Sequence, residues 1–277
     1  MGGAAEIEGT DARRSREEGL IVYPVYSRRA GGLSIGINLY PDKKHCNFNC
    51  RYCEVFPFAS DVRFSPELME GALRKAAAYA LSRGMAVKDI CFSGNGEPTL
   101  SPAFPVALRR ASALRDSLFA GSDIVVISNG TGLLREDCFN LLQDAVRLPV
   151  ALKLWLKLDA GSADWYRRID DGAVDFEALV GVVKEFSRRG DCVIQTMHCS
   201  VDGEAPSDDE LRAWAALVTE IAKGGNTHLV QIYGKARPSP HDPVCSDLPL
   251  ASLEGRAALL RAAFERAGVA VPVAVYK

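Results

Sequence analysis

The sequence predicts an α/β protein in which parallel strands alternate with helices. Six strand–helix units follow one another between residues 34 and 233, an order that favours a parallel sheet with helices outside it. In the strand predicted at residues 150–159, leucine at every second position alternates with Lys153, Trp155, Lys157 and Asp159. A parallel strand covered on both faces should be apolar throughout. The polar face therefore favours a sheet curled around a ligand-filled interior over a flat one.

The strands are predicted from apolar alternation or short apolar runs between turn residues. In the first of them, Ile35, Ile37 and Leu39 share one face. Residues 21–33 before it are expected to be an irregular extended lead-in, and residues 1–20 a disordered tail without chemistry. The predicted strands cover residues 34–40, 88–93, 123–128, 150–159, 192–199, 228–233 and 271–276.

Helix starts are predicted from capping residues and early carboxylates. Ser65, Pro66 and Glu67 mark one start, with an N-cap, a proline in the first turn and a carboxylate behind it. Ser252 is expected to cap the last helix. The predicted helices cover residues 65–84, 102–118, 133–144, 176–189, 207–223 and 253–267, so that residues 21–277 are expected to form one domain with a C-terminal cap.

Composition narrows the class of protein. The 277 residues suffice for one large α/β domain, and the net charge of -2 gives no general attraction to nucleic acid or to anionic membranes. No apolar run approaches the ~18 residues of a spanning helix, and no signal peptide is visible, so a cytoplasmic protein is expected. The eight cysteines are unevenly clustered, which indicates metal ligands and buried thiols rather than a disulfide framework.

Three of these cysteines, Cys46, Cys50 and Cys53, lie in one C-x3-C-x2-C stretch. A structural zinc ion would need a fourth protein ligand, and His45 is too close to Cys46 to close such a ring. A 4Fe-4S cluster held by three thiolates instead leaves one iron open. With Tyr52 directly before the third cysteine, the stretch resembles the signature of the radical S-adenosylmethionine (SAM) enzyme superfamily.

That resemblance implies a partial (β/α)6 barrel of the radical SAM type. It also implies a 4Fe-4S cluster on the three cysteines, SAM bound at the open iron, and an electron donor such as flavodoxin or ferredoxin. Reductive cleavage of SAM would give a 5'-deoxyadenosyl radical that abstracts hydrogen from a substrate. No motif specifies the substrate, which is expected to be a small molecule or a peptide. A non-catalytic iron-sulfur or zinc-binding module is a remote alternative.

A second motif, Gly94-Asn95-Gly96-Glu97, directly follows the second predicted strand. Glycines at a strand end permit positive φ and a close backbone approach to a ligand. The resemblance implies that Gly94, Gly96 and Glu97 hold the amino group of SAM. An ordinary strand-to-helix turn is the alternative interpretation.

Further cofactor-binding residues are expected at other strand ends. Ser128 and Asn129 end the third strand and resemble the Ser/Thr-Asn-Gly ending beside SAM, although a helix N-cap turn would use the same residues. Lys157 and Asp159 end the fourth strand, where site residues of α/β barrels collect, although Asp159 also has Lys157 as an ion-pair partner. Tyr52 is assigned to the same cofactor site.

Within the superfamily the sequence resembles the wyosine-base-formation-like branch, whose enzymes modify a tRNA guanosine. Those enzymes carry a further cysteine set upstream of the signature, whereas residues 1–45 contain no cysteine. A tRNA-modifying enzyme is therefore the second, less favoured prediction.

Core packing is expected for Cys91, Cys138 and Cys192, and Cys199 is the better candidate for a thiol that faces the pocket. Four basic residues are expected to flank the barrel mouth: Arg28, Arg29, Lys235 and Arg237.

Overall fold

The computed structural model describes residues 19–148 and 152–277. The tail predicted over residues 1–20 therefore lies almost wholly outside the described residues, as does the predicted strand start at Val150. The described chain divides into two compact units. One contains residues 19–45 and 57–125, and the other contains residues 46–56 and 126–277.

The first unit is a small sheet with two helices. Strands β1 and β2 pair antiparallel, and β3 pairs parallel to β2. Strand β4 begins in this unit and ends in the second. The elements are β1 (Val22–Ser27), β2 (Gly32–Ile37), helix α1 (Pro66–Ser82), β3 (Val87–Phe92), a 3-10 turn (Pro98–Leu100), α2 (Phe104–Leu118) and β4 (Asp123–Ser128).

Strand β1 corrects the expectation of an irregular lead-in over residues 21–33. The fully buried Tyr23 ring lies on Gly36 of β2, where an added Cβ would approach it to 2.2 Å. The Tyr23 hydroxyl bonds Ser93 at 2.8 Å. Pro24 suits this position because β1 is an edge strand, where a missing N–H costs little. The pairing with β2 makes the segment a strand, and alternation within the segment does not show it.

The second unit carries the other strands in the order β4-β5-β6-β8-β10. The pairs β5–β6, β6–β8 and β8–β10 are parallel, and β7 and β9 form a separate antiparallel pair. The elements are a 3-10 turn (Thr131–Leu134), α3 (Glu136–Arg147), β5 (Leu152–Lys157), α4 (Ala163–Ile169), α5 (Phe176–Arg189), β6 (Cys192–Met197), β7 (Ser200–Val201), α6 (Asp208–Gly224), β8 (Thr227–Tyr233), β9 (Cys245–Ser246), α7 (Leu250–Ala267) and β10 (Val273–Tyr276).

Two predicted helix starts are confirmed by their caps. Ser65 accepts a hydrogen bond from the Leu68 N–H, and Ser207 accepts one from the Glu210 N–H. The cap predicted at Ser252 is wrong, because α7 begins at Leu250 directly after Pro249. Pro249 is the N-cap residue, a position outside the helical hydrogen bonds that its missing N–H would otherwise interrupt. The start therefore lies upstream of the prediction, and Ser252 lies inside the helix.

A polar interior face is present in the second unit. Gln195 on β6 and Gln231 on β8 are paired in register, are both buried, and share a 2.5 Å side-chain hydrogen bond. On β5, Lys153 is exposed, Trp155 is buried and Lys157 is half-buried. The neighbouring strands β6 and β8 thus carry buried polar side chains, and such groups must be hydrogen-bonded to be tolerated.

The core beside β6 contains a histidine. His198 is 2% exposed and packs edge-on against Trp214 with ring centroids 4.7 Å apart. Burial, reinforced by the charge of Arg256, lowers the pKa of His198 to about 3. The imidazole is therefore neutral in the folded protein at pH values where the unfolded chain takes up a proton.

Acid should consequently destabilise this core through His198. Its folded pKa is depressed, so its contribution to stability is present above the unfolded pKa of about 6.5 and is lost as the pH falls below it. Between about pH 7.5 and about pH 5.5, wild type should lose roughly 1.4 kcal/mol more unfolding free energy than His198→Gln. Urea unfolding at both pH values measures this difference, with His228→Gln, 64% exposed in wild type, as the matched control. Equal losses in wild type and His198→Gln would contradict the assignment.

Candidate metal centre

The three motif cysteines lie in residues 46–53, here named the cluster loop, which belongs to the second unit and contains no helix or strand. Cys46, Cys50 and Cys53 are partly accessible, whereas the other five cysteines are buried. The loop closes on itself where the Cys53 N–H donates to the Cys50 carbonyl at 3.0 Å. The motif thus presents its thiols on a surface of the unit, as a metal centre requires.

A neighbouring backbone segment holds the cluster loop in place. The N–H groups of Asn49 and Arg51 donate to the carbonyls of Asp170 and Ile169 at 2.9 and 2.8 Å. In return, the Ala173 N–H donates to the Asn47 carbonyl at 3.0 Å. Residues 169–173, here named the bracing segment, therefore pair with the loop almost as a strand would and satisfy its backbone groups.

Side chains reinforce the same pairing. Phe48 of the loop is buried edge-on against Tyr166 of α4, with centroids 5.5 Å apart. At Gly172 an added Cβ would meet the Tyr166 hydroxyl at 1.8 Å, so only glycine fits. Asp171 has a positive φ of 44° and bonds Asn49 and Arg51 at 3.2 and 3.3 Å. The bracing segment is thus built for close contact with the loop.

The cysteine sulfurs have hydrogen-bond donors nearby. The Phe48 N–H donates to the Cys46 Sγ at 3.4 Å, and the Asn129 side-chain amide lies 3.8 Å from the same sulfur. Asn129 also donates to the Asn47 side chain at 2.9 Å. Donors of this kind stabilise thiolates that bind iron and adjust the reduction potential of a cluster.

The surroundings of Cys50 disfavour its thiolate form. Burial, and after it the Asp170 carboxylate, raises the pKa of Cys50 well above its ordinary value, with Lys157 opposing. Without bound metal this thiol therefore stays protonated. Metal binding at this loop is accordingly coupled to proton release, because the ligand is the thiolate.

Among the described residues, no three His, Cys, Asp or Glu side chains converge as the ligands of one metal ion would. This does not test a 4Fe-4S site, because each cysteine there binds a different iron and the sulfurs need not meet at one point. The donor set present, three thiols in one short loop with N–H donors, fits an iron-sulfur cluster.

A buried charged network adjoins the loop in the second unit. The Tyr52 hydroxyl donates to Asp159 and, at 3.2 Å, to Asp170. Lys157 pairs with Asp159 at 3.2 Å, and its ammonium lies 4.6 Å from the centre of the Tyr52 ring. The structure thus brings Tyr52 into one cluster of side chains with Lys157 and Asp159, although Tyr52 and Asp159 lie 107 positions apart in sequence.

The protonation states in this network follow from its charges. Burial lowers the pKa of Lys157, but Asp159 and then Tyr233 outweigh it, so the net shift is upward and the ammonium is retained. Burial, reinforced by Asp159, raises the pKa of Tyr52, which stays a hydroxyl donor. Burial together with Asp159 also raises the pKa of Asp170 well above the ordinary value.

The Gly94-Asn95-Gly96-Glu97 turn lies in the first unit. Gly94 has a φ of 128° and packs on Asn38, and a Cβ at Gly96 would approach the His45 carbonyl to 1.8 Å. The His45 N–H donates to the Asn95 carbonyl, and the Glu97 N–H donates to the His45 carbonyl, both at 3.0 Å. These glycines are therefore required by packing within the protein, whatever else the turn binds.

Glu97 caps the 3-10 turn that follows. Its buried carboxylate accepts hydrogen bonds from the Thr99 N–H at 3.1 Å and the Thr99 hydroxyl at 2.6 Å. Ser128 behaves similarly in the second unit, where its hydroxyl accepts from the Gly130 N–H at 3.0 Å. Both residues have the turn-forming role that the sequence left open, and their role toward SAM stays a prediction.

Some candidate residues lie elsewhere than expected. Arg28 and Arg29 lie in the β1–β2 turn at the amino end of β2, so the expectation that they flank the mouth at the carboxyl ends of the strands is wrong. Lys235 pairs with Asp242 at 2.9 Å, and Arg237 pairs with Glu54 at 3.2 Å.

In the part of the chain that the structure describes, no helix has the length and apolarity to cross a membrane.

Sequence reasoning missed α4 and the bracing segment. The start of α4 has a recognisable signal, because Ser162 caps it by accepting from the Trp165 N–H at 3.2 Å and Asp164 lies in the first turn. The pairing of residues 169–173 with the cluster loop has no local signal, since the partners lie about 120 positions apart.

The radical SAM superfamily model matches residues 41–226 of this chain. This span is more than half of the 277 residues, and the chain therefore belongs to the radical SAM superfamily. The predicted superfamily is thereby confirmed. The substrate and the wyosine-like branch stay predictions.

Two curated relatives, each named UPF0026 protein, come from two strains of Helicobacter pylori. They are 28% and 27% identical over 212 and 224 residues, which cover 75% and 79% of this chain. The chain spans about two thirds of the length of these relatives, 65% and 67%.

Solved structures show the same fold. A radical SAM methyltransferase from Sphaerobacter thermophilus is 16% identical with a TM-score of 0.65, over 92% of this chain and 68% of that one. Streptococcus suis SuiB bound to S-adenosylmethionine is 14% identical with a TM-score of 0.64, over 87% of this chain and 50% of that one. At such identities the likeness concerns the fold alone, and it confirms the predicted α/β partial barrel.

The buried ion pair should be costly to break. Lys157→Met leaves the fully buried Asp159 carboxylate without its cation, and removing one partner of a buried pair costs about 3–5 kcal/mol of unfolding free energy. The exposed pair of Arg212 and Asp209 is the matched control, for which Arg212→Met should cost at most about 1 kcal/mol. Urea unfolding of the metal-free protein measures both.

The double variant Lys157→Met/Asp159→Leu completes this test. It removes both charges and should recover much of the loss, because an uncompensated buried charge is no longer present. Equal costs for Lys157→Met and Arg212→Met would show that the network contributes no more than a surface pair.

Proposed function

We propose that this chain is a radical SAM enzyme whose cluster loop holds a 4Fe-4S cluster on Cys46, Cys50 and Cys53. When bound there, cluster and SAM supply a 5'-deoxyadenosyl radical by reductive cleavage of SAM, with the electron from a donor such as flavodoxin or ferredoxin. The observation that carries the proposal is the cluster loop itself, with three partly accessible cysteines, N–H donors to sulfur and a paired backbone. The reaction accordingly abstracts hydrogen from an unidentified substrate.

The chain's own contribution at the cluster is ligation and positioning. The bracing segment keeps the loop backbone in one conformation, so that the three thiols are presented together. Phe48 and Tyr166 cover one side of the loop with aromatic rings. Limiting water around a cluster and donating hydrogen bonds to its sulfurs are the means by which a protein adjusts its reduction potential.

SAM binding is proposed for the residues that the family resemblance indicates. Glu97 is a buried carboxylate suited to an ammonium group, and the turn that carries it is firmly built. Two carboxylates hold the Tyr52 hydroxyl and so define the direction of its ring. We assign SAM binding to eight residues: Tyr52, Gly94, Gly96, Glu97, Ser128, Asn129, Lys157 and Asp159.

The substrate is proposed to be a small molecule or a peptide. Basic residues near the cluster loop are paired internally, Arg237 with Glu54 and Lys235 with Asp242. A dedicated tRNA enzyme usually presents a basic surface, whereas this chain has a net charge of -2. Modification of tRNA is retained as the second candidate, because the wyosine-like motifs favour it.

The cluster assignment predicts iron content. Anaerobic reconstitution should load about four irons per chain, the content of one such cluster. Replacing any one of Cys46, Cys50 or Cys53 by Ala should abolish the brown chromophore and 5'-deoxyadenosine formation with dithionite. Cys138→Ala, at a buried cysteine on α3, is the matched control and should retain both. Stoichiometric zinc without iron in wild type would refute the assignment.

The SAM assignment predicts a charge effect at Glu97. Glu97→Gln keeps an oxygen that can accept from Thr99 but loses the charge, so cluster-loaded protein should bind SAM about 10- to 150-fold more weakly, as expected for about 1.5–3 kcal/mol. Calorimetry under argon measures this affinity. Thr99→Val, which loses the hydroxyl bond but keeps the carboxylate, should change SAM affinity little. Unchanged affinity and iron content in Glu97→Gln would show that the turn is only structural.

The preference against tRNA is testable directly. The protein should not turn over N1-methylguanosine-containing tRNA with pyruvate, and its tRNA affinity should be weak. Gel shifts over a salt series measure that affinity. Product formation, or submicromolar binding whose logarithm falls steeply with log salt as many phosphate contacts require, would instead make tRNA modification the leading function.

A further inference from the structure

Two cysteines outside the cluster loop lie side by side in the second unit. The Sγ atoms of Cys199 and Cys245 are 3.1 Å apart, and the two residues are 0% and 2% exposed. A disulfide bond is about 2.05 Å long, so the sulfurs are about 1 Å from bonding distance. The cysteines are 46 positions apart in sequence, and nothing local in either stretch predicts their contact.

The backbone around them makes the contact a property of the fold. Strands β7 and β9 pair antiparallel with Val201 opposite Cys245 and Ser200 opposite Ser246. Cys199 precedes β7 by one residue and is therefore the diagonal neighbour of Cys245 on the same face of this pair. The Asp202 N–H donates to the Val244 carbonyl at 2.8 Å and continues the pairing.

The two thiols differ in accessibility and acidity. Val244 and Ser246, on either side of Cys245, are exposed, whereas His198 and Ser200 beside Cys199 are buried. The contact with Cys199, aided by Lys235, lowers the pKa of Cys245, and the same contact together with burial raises the pKa of Cys199. Cys245 is thus the more acidic of the two thiols and the one with exposed chain neighbours, whereas Cys199 lies deeper.

The peptide that carries Cys245 also contacts the cluster loop. In residues 234–249, here named the cover segment, the Ser239 hydroxyl donates to the Arg51 carbonyl at 2.8 Å. His241 bonds Asn49 at 3.1 Å. A covalent link at Cys245 would therefore restrain a segment that packs on the proposed metal centre.

We propose that Cys199 and Cys245 form a redox-active dithiol that a small-molecule disulfide such as oxidised glutathione converts to an intramolecular disulfide. Local opening of the two-residue strand β9 exposes Cys245, whose sulfur attacks the oxidant and releases one glutathione. Cys199 then displaces the second glutathione. Two protein thiols lose two electrons and two protons, and both glutathione molecules leave reduced.

The site is independent of cluster binding, because it uses neither the motif cysteines nor SAM. Its consequence for the molecule is mechanical. In the reduced form, backbone pairing and the hydrogen bond from the Ser200 hydroxyl to the Ser246 carbonyl hold the cover segment to β7. The oxidised form adds a covalent link. Oxidation thus restrains the segment over the cluster loop.

The test incubates cluster-loaded wild-type protein under argon in buffers of varied reduced-to-oxidised glutathione ratio. After denaturation, differential alkylation and peptide mass spectrometry identify each oxidised cysteine. The expected result is a linked peptide pair containing Cys199 and Cys245, whose fraction rises reversibly with the oxidised share. Tryptic cleavage after Lys235 should slow in the oxidised form. Iron measured in parallel shows whether the cluster is retained.

Single variants separate the two thiols. Cys199→Ser should accumulate Cys245 as a mixed disulfide with glutathione, because the resolving thiol is gone. Cys245→Ser should leave Cys199 reduced, and Cys138→Ser is the matched control that should form the link as wild type does. Absence of the linked pair in wild type at every ratio, or oxidation confined to Cys46, Cys50 and Cys53, would overturn the proposal even if a variant fails to fold.

Discussion

The cluster loop must present three thiols from a stretch of eight residues that contains no helix or strand, and this constraint shapes the second unit. A loop without secondary structure has backbone N–H and C=O groups that need partners when buried. The bracing segment supplies them through Asp170, Ile169 and Ala173. The Ser239 hydroxyl adds a donor to the Arg51 carbonyl from the cover segment. Two peptides distant in sequence thus hold the motif in one conformation.

Charge burial next to the loop imposes the second requirement. Asp159 and Asp170 are both buried, and buried carboxylates are tolerated only when they are paired or hydrogen-bonded. Lys157 provides the cation and Tyr52 the shared hydroxyl donor. Because Tyr52 belongs to the cluster loop, the same bonds that satisfy these carboxylates also tie the loop to the end of β5. The same network therefore compensates the buried carboxylates and positions the cluster loop.

Residues proposed to bind cofactors also stabilise the local structure of the protein. Gly96 is required by the approach of the His45 carbonyl, Glu97 caps a 3-10 turn, and Asn129 bonds Asn47 of the cluster loop. Such double use is expected where a site is preorganised, since the groups that meet a ligand must themselves be held. Variants at these positions need controls that separate folding from binding.

Much of the architecture follows from the sequence by itself. Apolar alternation locates the main parallel strands, and the caps at Ser65 and Ser207 locate helix starts, because these signals act over one or two turns of chain. The C-x3-C-x2-C spacing is equally local, and it identifies the superfamily without tertiary information. The antiparallel strand β1, the bracing segment, and the contact between Cys199 and Cys245 were decided only by tertiary structure. Each depends on pairing between segments whose proximity no local pattern records, as the 46 positions between those two cysteines illustrate.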